Sequence, residues 1–89
     1  MNQYLLKYER EIIMKIADSR KTFEEMADKW PSSVVARAEL AKFTGGILHP
    51  RSQANLDSLG QGCEMVKIGR IVAYPVKSLV EWLIERAEK

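Results

Sequence analysis

Hydrophobic residues near the start of the chain recur at helical spacing. Between residues 2 and 21, apolar side chains return every three or four positions and charged side chains fill the positions between them. This pattern predicts an amphipathic helix. A second short helix is predicted to follow, with Thr22 and Glu25 as a capping box and with Pro31 ending it. One long helix through the whole segment is an alternative interpretation. The apolar positions are Leu5, Leu6, Ile12, Ile13, Ile16 and Ala17.

The segment "VVARAELAKF", residues 34–43, is interpreted as a further helix that "TGGI" ends. Arg37, Glu39 and Lys42 fall mostly on its outer side. The inward positions are Val35, Leu40, Ala41 and Phe43.

The segment "HPRSQANLDSLG" predicts the next helix. His49 is its N-cap, Pro50 suits the first helical position, and Gly60 ends the helix as the residue after its C-cap. Leu56 and Leu59 are predicted to point inward. Two short helices joined by a glycine-containing turn form a helix-turn-helix.

The segment "KIGRIVAY", residues 67–74, predicts a tight β-hairpin. The two-residue loop Gly69-Arg70 has glycine first, as a type II′ turn requires. Because strand side chains alternate between faces, one face of the hairpin is entirely apolar, and we expect it to pack on the helices. That face carries Val66, Ile68, Ile71 and Ala73. The predicted cross-strand pairs are Ile68 with Ile71, Lys67 with Val72, Val66 with Ala73, and Met65 with Tyr74.

The last segment, "PVKSLVEWLIERAEK", predicts a C-terminal helix with Pro75 at its start and Trp82 beside its apolar stripe. The stripe consists of Val76, Leu79, Val80, Leu83 and Ala87.

Composition restricts the class of protein but does not indicate a function. A chain of 89 residues, 46% of them apolar, fits one compact domain of modest stability. The single cysteine, Cys63, excludes an internal disulfide, and charges interrupt the apolar stretch near the start, so neither a signal peptide nor a membrane span is predicted. We therefore expect a cytoplasmic protein.

The formal net charge of +2 is mildly basic. It is far from the strong excess of proteins that bind polyanions by charge alone. Residues 32–74 carry the excess, with five basic and three acidic side chains.

The run "RAELAKFTGGILHPRSQANLDSLGQG", followed by "VKIGRIVAYPVKSLVEWLIER", resembles the small winged-helix DNA-binding proteins of the phage excisionase and AlpA type, relatives of the MerR-like domains. In that family a helix-turn-helix ending in glycine is followed by a hairpin wing and by a helix with an L-x-x-W-L pattern. Leu79, Trp82 and Leu83 match that pattern here. The resemblance covers residues 34 to 86, and Gln53 stands where the family usually has an apolar residue.

The resemblance implies a mainly α fold with a small β-hairpin, in which residues 32–89 form a winged helix-turn-helix domain. The resemblance does not cover the start of the chain, where the helical spacing of apolar residues predicts an N-terminal helical extension in residues 1–31. The extension either packs on its own domain or forms a dimer interface, because a long amphipathic helix leaves apolar surface to cover. The implied function is binding to double-stranded DNA, as a transcriptional regulator or as a recombination directionality factor that works with a recombinase.

Side-chain directions select the candidate DNA contacts. Opposite Leu56 and Leu59, the second helix presents Arg51 and Ser58, with Asn55 on its flank. Arg51 can bond guanine, Asn55 can bond adenine, and Ser58 suits a phosphate.

In the wing, Lys67 suits a phosphate, and Arg70 at the tip suits a phosphate or the minor groove. Arg37 and Lys42 are possible backbone contacts, although an ordinary surface charge is the preferred explanation for both.

Enzymatic chemistry is not indicated. His49 is the only histidine and Cys63 the only cysteine, so the sequence offers neither a metal-binding cluster nor a catalytic triad, and we expect no cofactor and no metal. His49 is best explained as a cap, and Cys63 has no basic neighbour to lower its pKa. The alternative function is a protein-interaction or oligomerisation module on a winged-helix scaffold that does not bind DNA.

Overall fold

The computed structural model describes residues 18–87, which form a helix-rich fold with a small antiparallel sheet. The predicted fold class, mainly helical with a small β-hairpin, is confirmed. The elements in chain order are α1 (Ser19–Lys29), β1 (Val34–Ala36), a 3-10 helix (Arg37–Glu39), α2 (Leu40–Phe43), α3 (Pro50–Ser58), β2 (Val66–Ile68), β3 (Ile71–Pro75) and α4 (Val76–Ala87).

α1 begins earlier than the sequence pattern predicts. Asp18 has an extended backbone, and its carboxylate accepts a hydrogen bond from the backbone N–H of Lys21 at 3.3 Å. The Thr22 hydroxyl donates to the Asp18 carbonyl at 2.9 Å, inside the first turn. The predicted capping box is therefore wrong, and so is a single helix running through Asp18. The helix predicted before this point lies largely in residues 1–17, outside the described residues.

The predicted helix over residues 34–43 is correct only at its end. Val34–Ala36 form the strand β1, which pairs antiparallel with β3 so that Val35 lies opposite Tyr74. Consecutive β-branched valines favour an extended backbone, and β3 supplies the partner that this segment needs. Only Leu40–Phe43 are α-helical, and both of these end residues are buried, as predicted.

The sheet has the order β1-β3-β2. The predicted hairpin pairs Ile68–Ile71, Lys67–Val72 and Val66–Ala73 are all present. β2 begins at Val66, so the predicted pair of Met65 with Tyr74 is not part of the sheet.

The orientation predicted for the hairpin faces is wrong. The face with Ile68 and Ile71 points to solvent, where these side chains are 69% and 62% exposed. Tyr74, on the opposite face, is 0% exposed and packs in the core, with Val72 half-buried beside it. The strand β1 determines which face of the hairpin is covered. Val35 of β1 lies opposite Tyr74 of β3, and both side chains are buried in the core. Ala73 is buried although it lies on the outer face.

α4 follows β3 directly and forms the largest part of the core. Val76, Leu79, Val80 and Leu83 are buried as predicted; Ile84 is also buried, whereas Ala87 is exposed.

α1 packs on this same core. Phe23, Met26 and Ala27 lie against the buried cluster, and the Trp30 ring meets the Phe43 ring edge-on with centroids 5.3 Å apart. The Trp30 indole Nε1 donates to the Val34 carbonyl at 2.9 Å. The described part of the predicted N-terminal extension is thus packed into the domain that follows it.

The inward face of α3 is polar rather than apolar. Gln53 is 0% exposed, whereas Leu56 is half-buried and Leu59 is 62% exposed, so the predicted inward position of Leu59 is wrong. The predicted end of the helix is confirmed. Gly60 has a φ of 72°, and the backbone N–H of Gln61 reaches back to the Leu56 carbonyl at 2.9 Å.

Candidate nucleic-acid interface

The outer surface of α3 carries the three predicted base and phosphate contacts. Arg51 lies in the first turn, Asn55 one turn later and Ser58 at the end, and all three are exposed. Pro50 occupies the first helical position, and the N-cap His49 makes no side-chain capping bond. The Ser58 hydroxyl donates to the Asn55 carbonyl at 2.8 Å. Arg51 and Asn55 are four residues apart, so their side chains lie on the same accessible surface of the helix.

The wing places a guanidinium at the end of the hairpin. Gly69 has a φ of 62°, and Arg70 does not have a positive φ, as the predicted type II′ turn requires. Arg70 and Lys67 are exposed. The backbone conformation that only glycine adopts easily at this turn is what turns the chain and exposes the Arg70 side chain.

A groove connects the wing tip to the start of α3. It has a volume of about 320 Å³, and its walls come from the 3-10 helix, the first residue of α3 and the tip of the hairpin. Its lining residues are Ala36, Arg37, Ala38, Pro50, Arg70, Ile71 and Val72. Arg70 of the wing and the amino end of α3 therefore border the same depression.

A buried polar network locks α3 to the wing. The Asp57 carboxylate, in the last turns of α3, accepts the Tyr74 hydroxyl at 2.5 Å and the Arg37 Nη2 at 2.7 Å, both on Oδ2. Arg37 Nε also donates to the Tyr74 hydroxyl oxygen at 2.8 Å. The side chain of Asp57 is only 3% exposed and that of Arg37 is 27% exposed. The 3-10 helix, α3 and β3 are thus joined by one carboxylate.

Gln53 and Gly62 complete the surroundings of that carboxylate. The Gln53 amide donates to Asp57 Oδ1 at 3.3 Å, and its own Oε1 has no hydrogen-bond partner among the described residues. A Cβ at Gly62 would overlap Asp57 Oδ1, so only glycine leaves room for the carboxylate here.

The segment between α3 and the wing is held at two points by α4. The Trp82 indole Nε1 donates to the Gln61 carbonyl at 3.0 Å, and the Ser78 hydroxyl donates to the Glu64 carboxylate at 2.6 Å. The glycine-rich link "GQGCEM" is therefore tied to the helix that carries the core.

Burial shifts the ionisation of this region. It raises the pKa of the Tyr74 hydroxyl to about 12, and the hydrogen bond to Asp57 acts in the same direction. The hydrogen bond to Tyr74 raises the pKa of the Arg37 guanidinium. At neutral pH the network therefore consists of a neutral phenol and a charged guanidinium. Burial also raises the pKa of the Cys63 thiol to about 11, which keeps it in the unreactive thiol form.

The structure separates the predicted cationic residues into groups. Arg70 and the start of α3 border one groove, and Lys67 lies on the neighbouring edge strand β2. Arg37 is engaged inside the protein by Asp57 and Tyr74. Lys42 lines a different cavity of about 620 Å³, together with Trp30 and Phe43.

The sequence patterns did not predict the roles of Asp57 and Tyr74 or the burial of Gln53. A usable signal was present, because Gln53 and Asp57 are four residues apart and so lie on one face of α3. Tyr74 carried no comparable local signal, since its partners come from segments 17 and 37 residues away.

Among residues 18–87, no helix combines the length and the apolar character that crossing a membrane needs. The chain matches no protein-family model, no curated protein and no solved structure at a significant level. The interface described above therefore stands on the geometry of this chain alone.

Proposed function

We propose that this protein binds double-stranded DNA, with α3 in the major groove and the wing on the adjacent backbone or minor groove. The observation that carries the proposal is the shared groove, which sets Arg70 of the wing beside the amino end of α3. A recognition helix reads bases with its N-terminal residues, and a wing contacts the neighbouring backbone. The biological role fitting these contacts is transcriptional regulation or recombination directionality.

Each exposed side chain has a distinct task in this arrangement. Arg51 offers a bidentate fork to guanine, and Asn55 offers a donor and an acceptor to adenine. Lys67 and Arg70 hold phosphates, which fix the position of the protein without reading the sequence. The single proton of the Ser58 hydroxyl is donated to the Asn55 carbonyl, so Ser58 is not among these contacts.

The number of cations at the proposed interface predicts how strongly DNA binding depends on salt. On DNA of random sequence Arg51 has no matching guanine and contacts a phosphate, as Lys67 and Arg70 do. Three such contacts imply a slope of about −2.7 for the logarithm of the binding constant against the logarithm of the salt concentration. Affinity for DNA of random sequence should then fall roughly 40-fold between 50 and 200 mM salt.

The test is a fluorescence-anisotropy titration of a labelled random-sequence duplex at several salt concentrations. Arg70→Ala is expected to weaken binding and to reduce the salt slope by about one. The matched control is Lys21→Ala, which removes an exposed cation of α1, the helix that packs on α4. No binding by the wild-type protein at 50 mM salt would refute the proposal.

We also propose that the protein is a homodimer joined through its N-terminal helices, a prediction that rests on the apolar pattern of residues 2–21 alone. A dimer of this kind would read two half-sites about one helical turn of DNA apart. Sedimentation equilibrium of the full chain and of Ile13→Glu distinguishes the cases: the wild type should be dimeric and the variant monomeric.

An interaction module without DNA binding is the second candidate. The exposed apolar residues Val66, Ile68 and Ile71 on the outer face of the sheet favour it. The same titration separates the two functions, because a module of this kind shows no salt-dependent affinity for DNA.

A further inference from the structure

The outer face of the sheet is apolar and open to solvent. Val34 lies at one end of this face, Val66 near the middle, and Ile68 and Ile71 at the wing tip. The two isoleucines are the most exposed of the four. An amphipathic hairpin normally turns such a face inward, so this exposure calls for a functional explanation.

The geometry of the tip makes the two isoleucines a unit. Ile68 and Ile71 are cross-strand partners that directly flank the Gly69-Arg70 turn. Paired positions place Cβ atoms about 5 Å apart on the same face. The hairpin therefore ends in a blunt apolar edge with a guanidinium at its apex.

The charged side chain at this edge is positive, because Arg70 lies in the turn between the two isoleucines. Lys67 adds a second cation to the hairpin on its other face, and residues 66–75 contain no acidic residue. This surface is complementary to a polyanion, and DNA-bending proteins that bind the minor groove combine cations with apolar side chains in this way.

The position of the edge fits the same partner. Ile71 and Arg70 line the groove that Pro50 of α3 also lines. If α3 occupies a major groove, the wing tip reaches the neighbouring minor groove, where a side-chain pair can press against a base step.

We propose that Ile68 and Ile71 form a wedge that enters the minor groove, partly unstacks one base step and kinks the DNA. This proposal rests on the proposed DNA-binding function and adds a mechanical role and a preference to it. Pyrimidine–purine steps such as TA unstack most easily, so the wedge should favour them over stiff A-tracts.

The experiment uses two duplexes of about 30 base pairs with fluorophores at both ends, one rich in TA steps and one built on A-tracts. Anisotropy reports binding, and energy transfer between the ends reports bending. Wild-type protein should raise energy transfer on the TA-rich duplex, as a kink of ~20–90° would, and raise it much less on the A-tract duplex.

Ile68→Ala/Ile71→Ala should keep binding at 50 mM salt within about tenfold of wild type and lose the bend, because the cations remain while the wedge is gone. Ile68→Thr/Ile71→Thr keeps β-branched side chains, which suit a strand, and should also lose the bend. Because this variant preserves the hairpin, its loss of bending is not explained by a misfolded wing. Val34→Ala is the matched control and should bend DNA normally, because Val34 lies on the same face but in β1, opposite the end of β3 that is far from the wing tip.

The outcomes separate the two proposals. Wild-type binding without bending, or equal bending by both double variants, overturns the wedge and leaves DNA binding standing. No wild-type binding at low salt overturns the DNA-binding function and the wedge with it. A change of oligomeric state in the double variants, with DNA bending unchanged, overturns the wedge and assigns the face to a protein contact.

Discussion

The Asp57 carboxylate receives hydrogen bonds from three side chains on three different segments. Two of them, Arg37 and Tyr74, come from outside α3 and define how that helix sits against the wing. A buried charge is tolerated only where it is paired and hydrogen-bonded in this way. Asp57 is therefore a positioning residue for the proposed interface.

Asp57→Ala is expected to lower the free energy of unfolding by about 2–3 kcal/mol. This is less than the ~3–5 kcal/mol for breaking a fully buried pair, because the Arg37 side chain is 27% exposed. Urea unfolding measures it. The control, Glu24→Ala, removes a surface pair with Arg20 and should change stability by at most ~0.5 kcal/mol. Equal effects of the two variants would contradict the role given to Asp57.

The raised pKa of Tyr74 predicts a loss of stability at alkaline pH. The folded protein holds the phenol proton up to about pH 12, whereas the unfolded chain loses it near pH 10. The contribution to stability is therefore complete below pH 10 and disappears as the pH rises to 12. Urea unfolding of the wild type and of Tyr74→Phe across this range checks it, because phenylalanine does not titrate.

The raised pKa of Cys63 also predicts a loss of stability with rising pH, between its ordinary pKa of 9.0 and its raised pKa of about 11. Performing the comparison in a Cys63→Ala background isolates the contribution of the phenol. A pH dependence that is unchanged by Tyr74→Phe in that background would show that Tyr74 is not its source.

At the scale of elements, two positions require glycine for different structural reasons. Gly69 has a φ of 62° at the hairpin turn, and an added Cβ there meets no atom within 4 Å. Its requirement is thus conformational. Gly62 has an ordinary φ, but an added Cβ would overlap the Asp57 carboxylate, so its requirement is space.

Gly69→Ala is therefore expected to cost about 1–2 kcal/mol of unfolding free energy from backbone strain alone. Gly62→Ala should cost more in the wild type than in an Asp57→Ala background, where the overlap is gone. A double-mutant cycle measured by urea unfolding gives that coupling. Additive effects of Gly62→Ala and Asp57→Ala would show that the two residues do not compete for space.

The described elements behave as one unit at the scale of the whole molecule. α1 buries part of Phe23, Met26 and Ala27 on α4, and Trp30 joins it to α2 and β1 by an aromatic contact and a hydrogen bond. The division between residues 1–31 and 32–89 therefore does not mark a gap in the packing of the described residues.

Trp30→Ala is expected to destabilise the protein by about 2–3 kcal/mol. The value is below the ~3–5 kcal/mol of a fully buried tryptophan because Trp30 is only half-buried. Thermal unfolding followed by circular dichroism and by Trp82 fluorescence should show one shared transition, shifted to lower temperature. An unchanged midpoint temperature in the Trp82 fluorescence transition would contradict the claim that α1 unfolds together with the other described elements.

Local chemistry in the sequence was sufficient for the turn and the register of the hairpin, for the C-terminal ends of α1 and α3, and for most of the buried stripe of α4. Gly69 and Gly60 adopt positive φ values that other residues avoid, and Pro31 disfavours a helical backbone at the residue before it, so these features need no distant partner. The exposed positions of Arg51 and Asn55 likewise followed from helical periodicity, and that of Arg70 from its place in the turn. Lys67 is exposed although it shares the face of Val72 and Tyr74, because β2 is an edge strand.

Tertiary structure alone decided the rest. Val34–Ala36 became a strand because β3 was available to pair with it, and that third strand turned Tyr74 inward and left Ile68 and Ile71 in solvent. A strand period of two defines which residues share a face but not which face is covered. The buried Asp57 network depends on residues far apart in the chain, and only folding brings their side chains within hydrogen-bonding distance.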